Sequence, residues 1–219
     1  MNKYLVEFVG TFFLVATIGN VVMTPNDAGA LAPLAIGAVL MAMVFAGGHV
    51  SGAHYNPAVT VAVYLRGKCG AGDVPGYIVA QCAAAAAAAF TVLFLKGNPA
   101  AGPMQIDLVR ALVAEFLYTF ALCSVVLNVA TCRGTSGNSF YGLAIGFMVL
   151  AGAYSVGAVS GGAFNPAVAI GATLMGLFSA QNLWVYLVAN FAAAAAAAAF
   201  FKLIDPDAVR APERLAEPT

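Results

Sequence analysis

Apolar residues run along this chain in long stretches almost free of charge, at about 4–24, 31–50, 77–95, 108–131, 140–159 and 183–204. Each is close to the ~20 residues a helix needs to cross hydrocarbon, so six transmembrane helices are predicted. The breaks hold turn formers: Pro25-Asn26-Asp27, residues 70–75, Gly97-Asn98-Pro99 and residues 133–138. Two apolar pieces, 58–65 and 167–178, are too short to span, and an Asn-Pro pair stands at the head of each. Beside full spans they read as re-entrant half-helices. The first run has no small-residue cleavage site with a polar region behind it, so it reads as a span and not a leader.

A repeat underlies the pattern. Leu34-Ala35-Ile36-Gly37 returns as Leu143-Ala144-Ile145-Gly146, and Ser51-Gly52 returns as Ser160-Gly161. Asn56-Pro57-Ala58-Val59 returns as Asn165-Pro166-Ala167-Val168, and Val79-Ala80-Gln81 as Val188-Ala189-Asn190, all 109 positions apart. Glu7-Phe8 with Thr11-Phe12 returns as Glu115-Phe116 with Thr119-Phe120, offset by 108. Residues 1–204 are therefore one channel-like domain of two repeats, about 1–97 and 108–204, followed by a polar tail at 205–219. Each repeat holds three spans and one half-helix. Three is odd, so the copies are inverted, and the half-helices enter from opposite faces to meet near the midplane.

Composition agrees with lipid as the solvent. Of 219 residues 62% are hydrophobic and 8% charged, with nine basic and nine acidic side chains. A soluble domain carries roughly 25% charge, so a soluble enzyme, a nucleic-acid binder and a disordered scaffold are all disfavoured. Seven of the basic residues (Lys3, Arg66, Lys68, Arg133, Lys202, Arg210 and Arg214) fall on the side of the termini, and Lys96 and Arg110 opposite. That asymmetry predicts a cell-membrane protein with both termini cytoplasmic.

The chemistry centres on the two Asn-Pro-Ala triplets. Asparagine caps helix starts, and proline fits the first helical position, where no backbone donor is lost. Two such starts at the midplane present N–H groups and the positive ends of two helix dipoles. The irregular stretches before them hold carbonyls that hydrocarbon would leave unpaired. The predicted pore centre is thus Asn56, Pro57, Ala58, Asn165, Pro166 and Ala167, with carbonyls of Gly52, Ala53, His54, Tyr55, Gly161, Ala163 and Phe164 lining a wet lumen. Asn56 and Asn165 would donate to a passing water oxygen and turn its hydrogens away from both motifs, while the helix ends disfavour cations.

These residues carry a resemblance. Ser51-Gly52-Ala53-His54-Tyr55-Asn56-Pro57-Ala58-Val59-Thr60, the paired Asn-Pro-Ala triplets and the early glutamates resemble the aquaporin, or major intrinsic protein, family over nearly the whole chain. The resemblance implies a homotetramer with one pore per subunit, passing water or small neutral solutes passively. The family usually has arginine after the second triplet; this chain has Val168. Carrying the other filter positions over by spacing gives Ile36, Ala153 and Gly162. The expected filter is small, apolar and uncharged, without arginine's five donors. It suits ammonia, urea, hydrogen peroxide or small polyols by size.

The remaining polar residues have structural readings. Glu7 and Glu115, ionisable groups within spans, are predicted to accept hydrogen bonds from the re-entrant loops; His49 and His54, which flank the first loop, are predicted to brace it, with a pH-dependent gate as the alternative. No metal-ligand spacing or cofactor motif stands out among the histidines and the four cysteines, and no nucleophile–base pair suggests an enzyme. Alanine runs at 83–89 and 192–199 suit a tight helix seam, although replacement of other residues by alanine would give the same pattern. Two other functions stay open: an alternating-access small-solute transporter, and a poorly conducting membrane organiser with the same fold.

Overall fold

Uninterrupted apolar sequence becomes uninterrupted helix. The computed structural model describes residues 1–25, 27–100 and 102–205. Its α-helices, among those residues, are α1 (Asn2–Val22), α2 (Ala32–Ser51), α3 (Pro57–Leu65), α4 (Val74–Lys96), α5 (Leu108–Thr131), α6 (Tyr141–Ser160), α7 (Pro166–Leu174) and α8 (Leu183–Ile204). Six are long and apolar enough to cross a membrane. Asp107 caps α5 by accepting from Arg110 N at 2.9 Å. Gly52, Gly97 and Gly161 end α2, α4 and α6 in the left-handed conformation that closes a helix without a Cβ penalty. Of the segment expected as a tail, only Asp205 lies within the described residues, so Arg210 and Arg214 lie outside them.

The second half-helix is shorter than its apolar run, which extends to residue 178. It ends at Leu174, because Gly176 (φ +75°) reverses the chain and the N–H groups of Leu177 and Phe178 both turn back to the Ala172 carbonyl.

Packing repeats as the sequence does. α1 lies against α2 and α4, and α5 against α6 and α8; α7 packs on α4 as α3 packs on α8. The alanine runs supply these seams: Ala84, Ala85, Ala88 and Ala89 face inward on α4, and Ala193, Ala194, Ala197 and Ala198 on α8, all buried. Large apolar side chains such as Val79, Phe94, Val109 and Leu203 point outward, as suits a lipid-facing surface.

α2 and α6 cross at a pair of repeat-equivalent glycines. A Cβ on Gly37 would lie 2.8 Å from the Gly146 carbonyl oxygen, and one on Gly146 would lie 2.5 Å from the Gly37 oxygen. Backbone meets backbone there, so no flexible side chain can yield. Gly146→Ala is expected to force the helices apart at a cost of about 1–3 kcal/mol, seen as a lower melting temperature in detergent. An unchanged melting temperature would show that the crossing is looser than this geometry.

Candidate pore and its constrictions

Each Asn-Pro starts its helix as the sequence predicts. Asn56 Oδ1 accepts from Ala58 N (2.8 Å) and Val59 N (3.4 Å), and Asn165 Oδ1 accepts from Ala167 N (2.9 Å) and Val168 N (3.4 Å). With the oxygen pinned, the amide nitrogen points away from the helix start. Asn56 Nδ2 donates to the Phe164 carbonyl at 2.9 Å, and Asn165 Nδ2 donates to the Tyr55 carbonyl at 2.8 Å. Each asparagine therefore ties its own half-helix to the opposite loop and keeps one N–H for the lumen. Pro57, Ala58, Pro166 and Ala167 are buried behind them, outside the cavity wall.

The loops feeding these starts are held in costly backbone conformations. Ala53, Tyr55 and Phe164 have φ of 52°, 49° and 47°, in the left-handed region that non-glycine residues avoid. Two glutamates, both fully buried, stabilise them. Glu7 accepts from Ser51 Oγ (2.7 Å) and His54 N (2.9 Å) on one oxygen, and from Tyr55 N (2.7 Å) and Gln81 Nε2 (2.8 Å) on the other. Glu115 repeats the set with Ser160 Oγ (2.7 Å), Ala163 N (2.9 Å), Phe164 N (2.7 Å) and Asn190 Nδ2 (3.1 Å). Tyr77 and Tyr186 add hydroxyl donors to the Ser51 and Ser160 carbonyls at 2.7 and 2.6 Å. Sequence reasoning passed over these tyrosines and gave no role to Ser51, Ser160, Gln81 or Asn190. Their common 109-residue spacing was the signal that could have found them.

Two cavities follow one another through the bundle. The first, about 280 Å³, runs from Val22, Met104, Leu177 and Phe178 at the end away from the termini, down to Asn56, Asn165 and His54. Ile36, Ala153, Gly162 and Val168 all lie on its wall, and Leu14, Ile18, Leu122 and Val126 from the repeat-related α1 and α5 complete an apolar lining. Ala53, Tyr55, Gly161 and Ala163 line it too. Phe164 does not, contrary to expectation, and Gly52 lines the passage farther along. Gly52 stands on the second cavity, and Phe164 is 1% exposed, with its carbonyl facing Asn56.

The second cavity, about 750 Å³, opens on the termini side between Gly48, Lys68, Arg133, Asn138 and Tyr141. His49 sits on this wall, exposed, and makes no hydrogen bond to the loop among the described residues. The bracing role expected of both histidines is therefore corrected for this one: at the last turn of α2 its side chain faces the cavity. The histidine that braces is His54, whose Nδ1 lies 3.1 Å from Thr60 Oγ1. That hydroxyl donates to the Asn56 carbonyl and accepts from Gln81 Nε2, so toward His54 it can only accept. The proton is thereby assigned to Nδ1, and the neutral ring keeps Nε2 as an acceptor.

Among the described residues only His54 and Val126 line both cavities, and so stand at the junction, or neck, where the two meet. His54→Ala is expected to raise the flux of solutes larger than water several-fold relative to water, because Thr60 keeps its other two partners. Stopped-flow shrinkage and re-swelling of proteoliposomes reads this. An unchanged ratio would show that the neck does not limit passage.

The sequence profile described as major intrinsic protein matches residues 1–202. Aquaporin NIP1-4 of Oryza sativa subsp. japonica is 40% identical over 213 residues, covering 93% of this chain and 77% of that protein. Aquaporin NIP1-1 of Arabidopsis thaliana is 35% identical over 207 residues, covering 86% and 69%. The X-ray structure of the aquaglyceroporin from Plasmodium falciparum shares the fold with a TM-score of 0.80 at 24% identity, covering 95% of this chain and 98% of that one. With the family matched over nearly its whole length, the chain belongs to the major intrinsic proteins and is a membrane channel of the aquaporin type, not an enzyme.

Proposed function

We propose that this channel passes water and small uncharged solutes passively through a wide apolar filter formed by Ile36, Ala153, Gly162 and Val168, one pore per subunit of a homotetramer. The single observation that carries this reading is the 280 Å³ chamber in which those four residues share a wall otherwise built largely of leucine, isoleucine, valine and phenylalanine. Such a wall offers no fixed charge and no side-chain donors at the filter. Selectivity then rests on width, on loop carbonyls, and on the one N–H that each asparagine keeps free. A solute crosses by trading its hydration for these few partners, so small uncharged molecules pass while ions, which need far more, do not. The protein would lie in a cell membrane with both termini cytoplasmic, the side that holds Lys3, Arg66, Lys68, Arg133 and Lys202.

Proteoliposomes test the reading directly. Uptake of at least one of urea, glycerol, ammonia or hydrogen peroxide should exceed that of empty vesicles, at a rate linear in concentration. Osmotic water flux with no uptake of any larger neutral solute would contradict the wide filter, and saturating or gradient-coupled uptake would favour a transporter.

A further inference from the structure

Arg66 follows α3 directly and is its C-terminal cap, yet its side chain is only 5% exposed. One face of its guanidinium is covered by the Phe201 ring, with Cζ 4.6 Å from the ring centroid. That contact uses the flat face and leaves the edges untouched. Along one edge, Nε and Nη2 are both buried and neither has a hydrogen-bond partner among the described residues. Nε–H and Nη2–H are the parallel pair with which arginine grips two oxygens of one carboxylate or phosphate. A buried charge without a counter-charge is among the costliest arrangements a protein can hold. An orphaned fork of this shape specifies its missing partner: an anion with two oxygens in the plane of the guanidinium.

The surroundings narrow the choice. Asp205 closes α8 four residues beyond Phe201, and it accepts from Cys132 Sγ at 3.2 Å. The ends of α3 and α8 emerge together on the termini side, where Lys202 is exposed beside Phe201. In a bilayer that is the level of the lipid phosphates, and cations there draw anionic headgroups. We infer that the Nε/Nη2 edge of Arg66 is a phosphate-binding site, filled by a lipid headgroup or by free phosphate. The bound oxyanion neutralises a guanidinium that already stacks on Phe201 of α8, and so steadies the half-helix whose other end is capped by Asn56.

Thermal unfolding of the purified full-length channel in an uncharged detergent tests this. Inorganic phosphate against chloride at equal ionic strength forms one arm, and phosphatidylglycerol against diacylglycerol the other. Phosphate or phosphatidylglycerol should raise the melting temperature of the wild type and of Lys202→Gln, but not of Arg66→Met. Arg66→Lys, which keeps the charge and loses the fork, should lose most of the shift and covers the case in which Arg66→Met does not fold. A shift in the lipid arm only identifies the headgroup, and a shift with inorganic phosphate shows that the free ion suffices. No shift in either arm, or equal shifts in wild type and Arg66→Lys, would overturn the proposal. So would a wild type indifferent to phosphate but destabilised when Asp207, Glu213 and Glu217 are neutralised, since the fork would then belong to the chain's own carboxylates.

Discussion

Val168→Arg is expected to cut the flux of neutral solutes about tenfold or more while leaving osmotic water flow largely intact. Val168 shares the chamber wall with Ile36, Ala153 and Gly162. Ala153 is small and Gly162 carries no side chain, so a long side chain at 168 has space to extend across the lumen. It would bring a positive charge and five N–H donors to a wall that now offers apolar contact. A water can trade its lost neighbours for those donors. A bulkier solute must also push the guanidinium aside, and an added barrier of only about 1.4 kcal/mol is already tenfold in rate. Stopped-flow proteoliposome assays of water and of one permeant solute, run on both proteins, decide the matter. Equal solute flux in the variant and the wild type would place the limiting constriction elsewhere, with the His54–Val126 neck the next candidate. A variant that loses water and solute together, while remaining folded, would mean that arginine plugs the chamber instead of tuning it.

Much of the fold was legible because the membrane writes it in length and repetition. Six runs of near-spanning length correspond to six helices, and the 109-residue register alone pairs Asn56 with Asn165. Glu7 and Glu115 were legible for a similar reason. A carboxylate inside a span needs several donors, and loops that cannot pair their own N–H groups supply them. What stayed hidden depends on direction. His49 and His54 flank the same loop, and nothing in their spacing reveals that the left-handed turn at Gly52 and Ala53 sends one ring to the neck and leaves the other on the outer cavity. The cross-tie from Asn56 to the Phe164 carbonyl joins residues 108 apart, and it follows from backbone direction at the midplane, not from residue type. The early end of α7 was missed because the apolar run continues to Phe178 while the helix does not. Those last residues pack elsewhere, Phe178 stacking on Tyr186 with ring centroids 4.6 Å apart. Arg66 read as one more cation on the termini side, and only packing shows it buried under Phe201.

Glu115→Gln is expected to damage the fold more than any filter substitution damages transport. The carboxylate accepts four hydrogen bonds, two on each oxygen, and two of its donors are the backbone N–H groups of Ala163 and Phe164. An amide keeps one oxygen and puts an NH₂ where the other stood, so donor faces donor on that side. Asn190 can relieve part of this by turning its amide, because its Oδ1 is buried and unpartnered. The backbone N–H cannot turn. Each buried donor left unpaired costs about 1–3 kcal/mol, against a total stability of roughly 5–15 kcal/mol for a folded domain. The loss falls on a loop already strained at Phe164 (φ 47°), whose carbonyl anchors Asn56. Thermal unfolding in detergent should therefore shift down markedly, with reduced yield of folded protein. In whatever folds, flux of all permeants should fall together, because the asparagines lose their position while the filter keeps its composition. Glu7→Gln should behave alike, since Glu7 occupies the same place in the other repeat with the same number of donors. A variant that folds as well as the wild type but admits a different set of solutes would show that Glu115 acts on the permeant rather than on the loop.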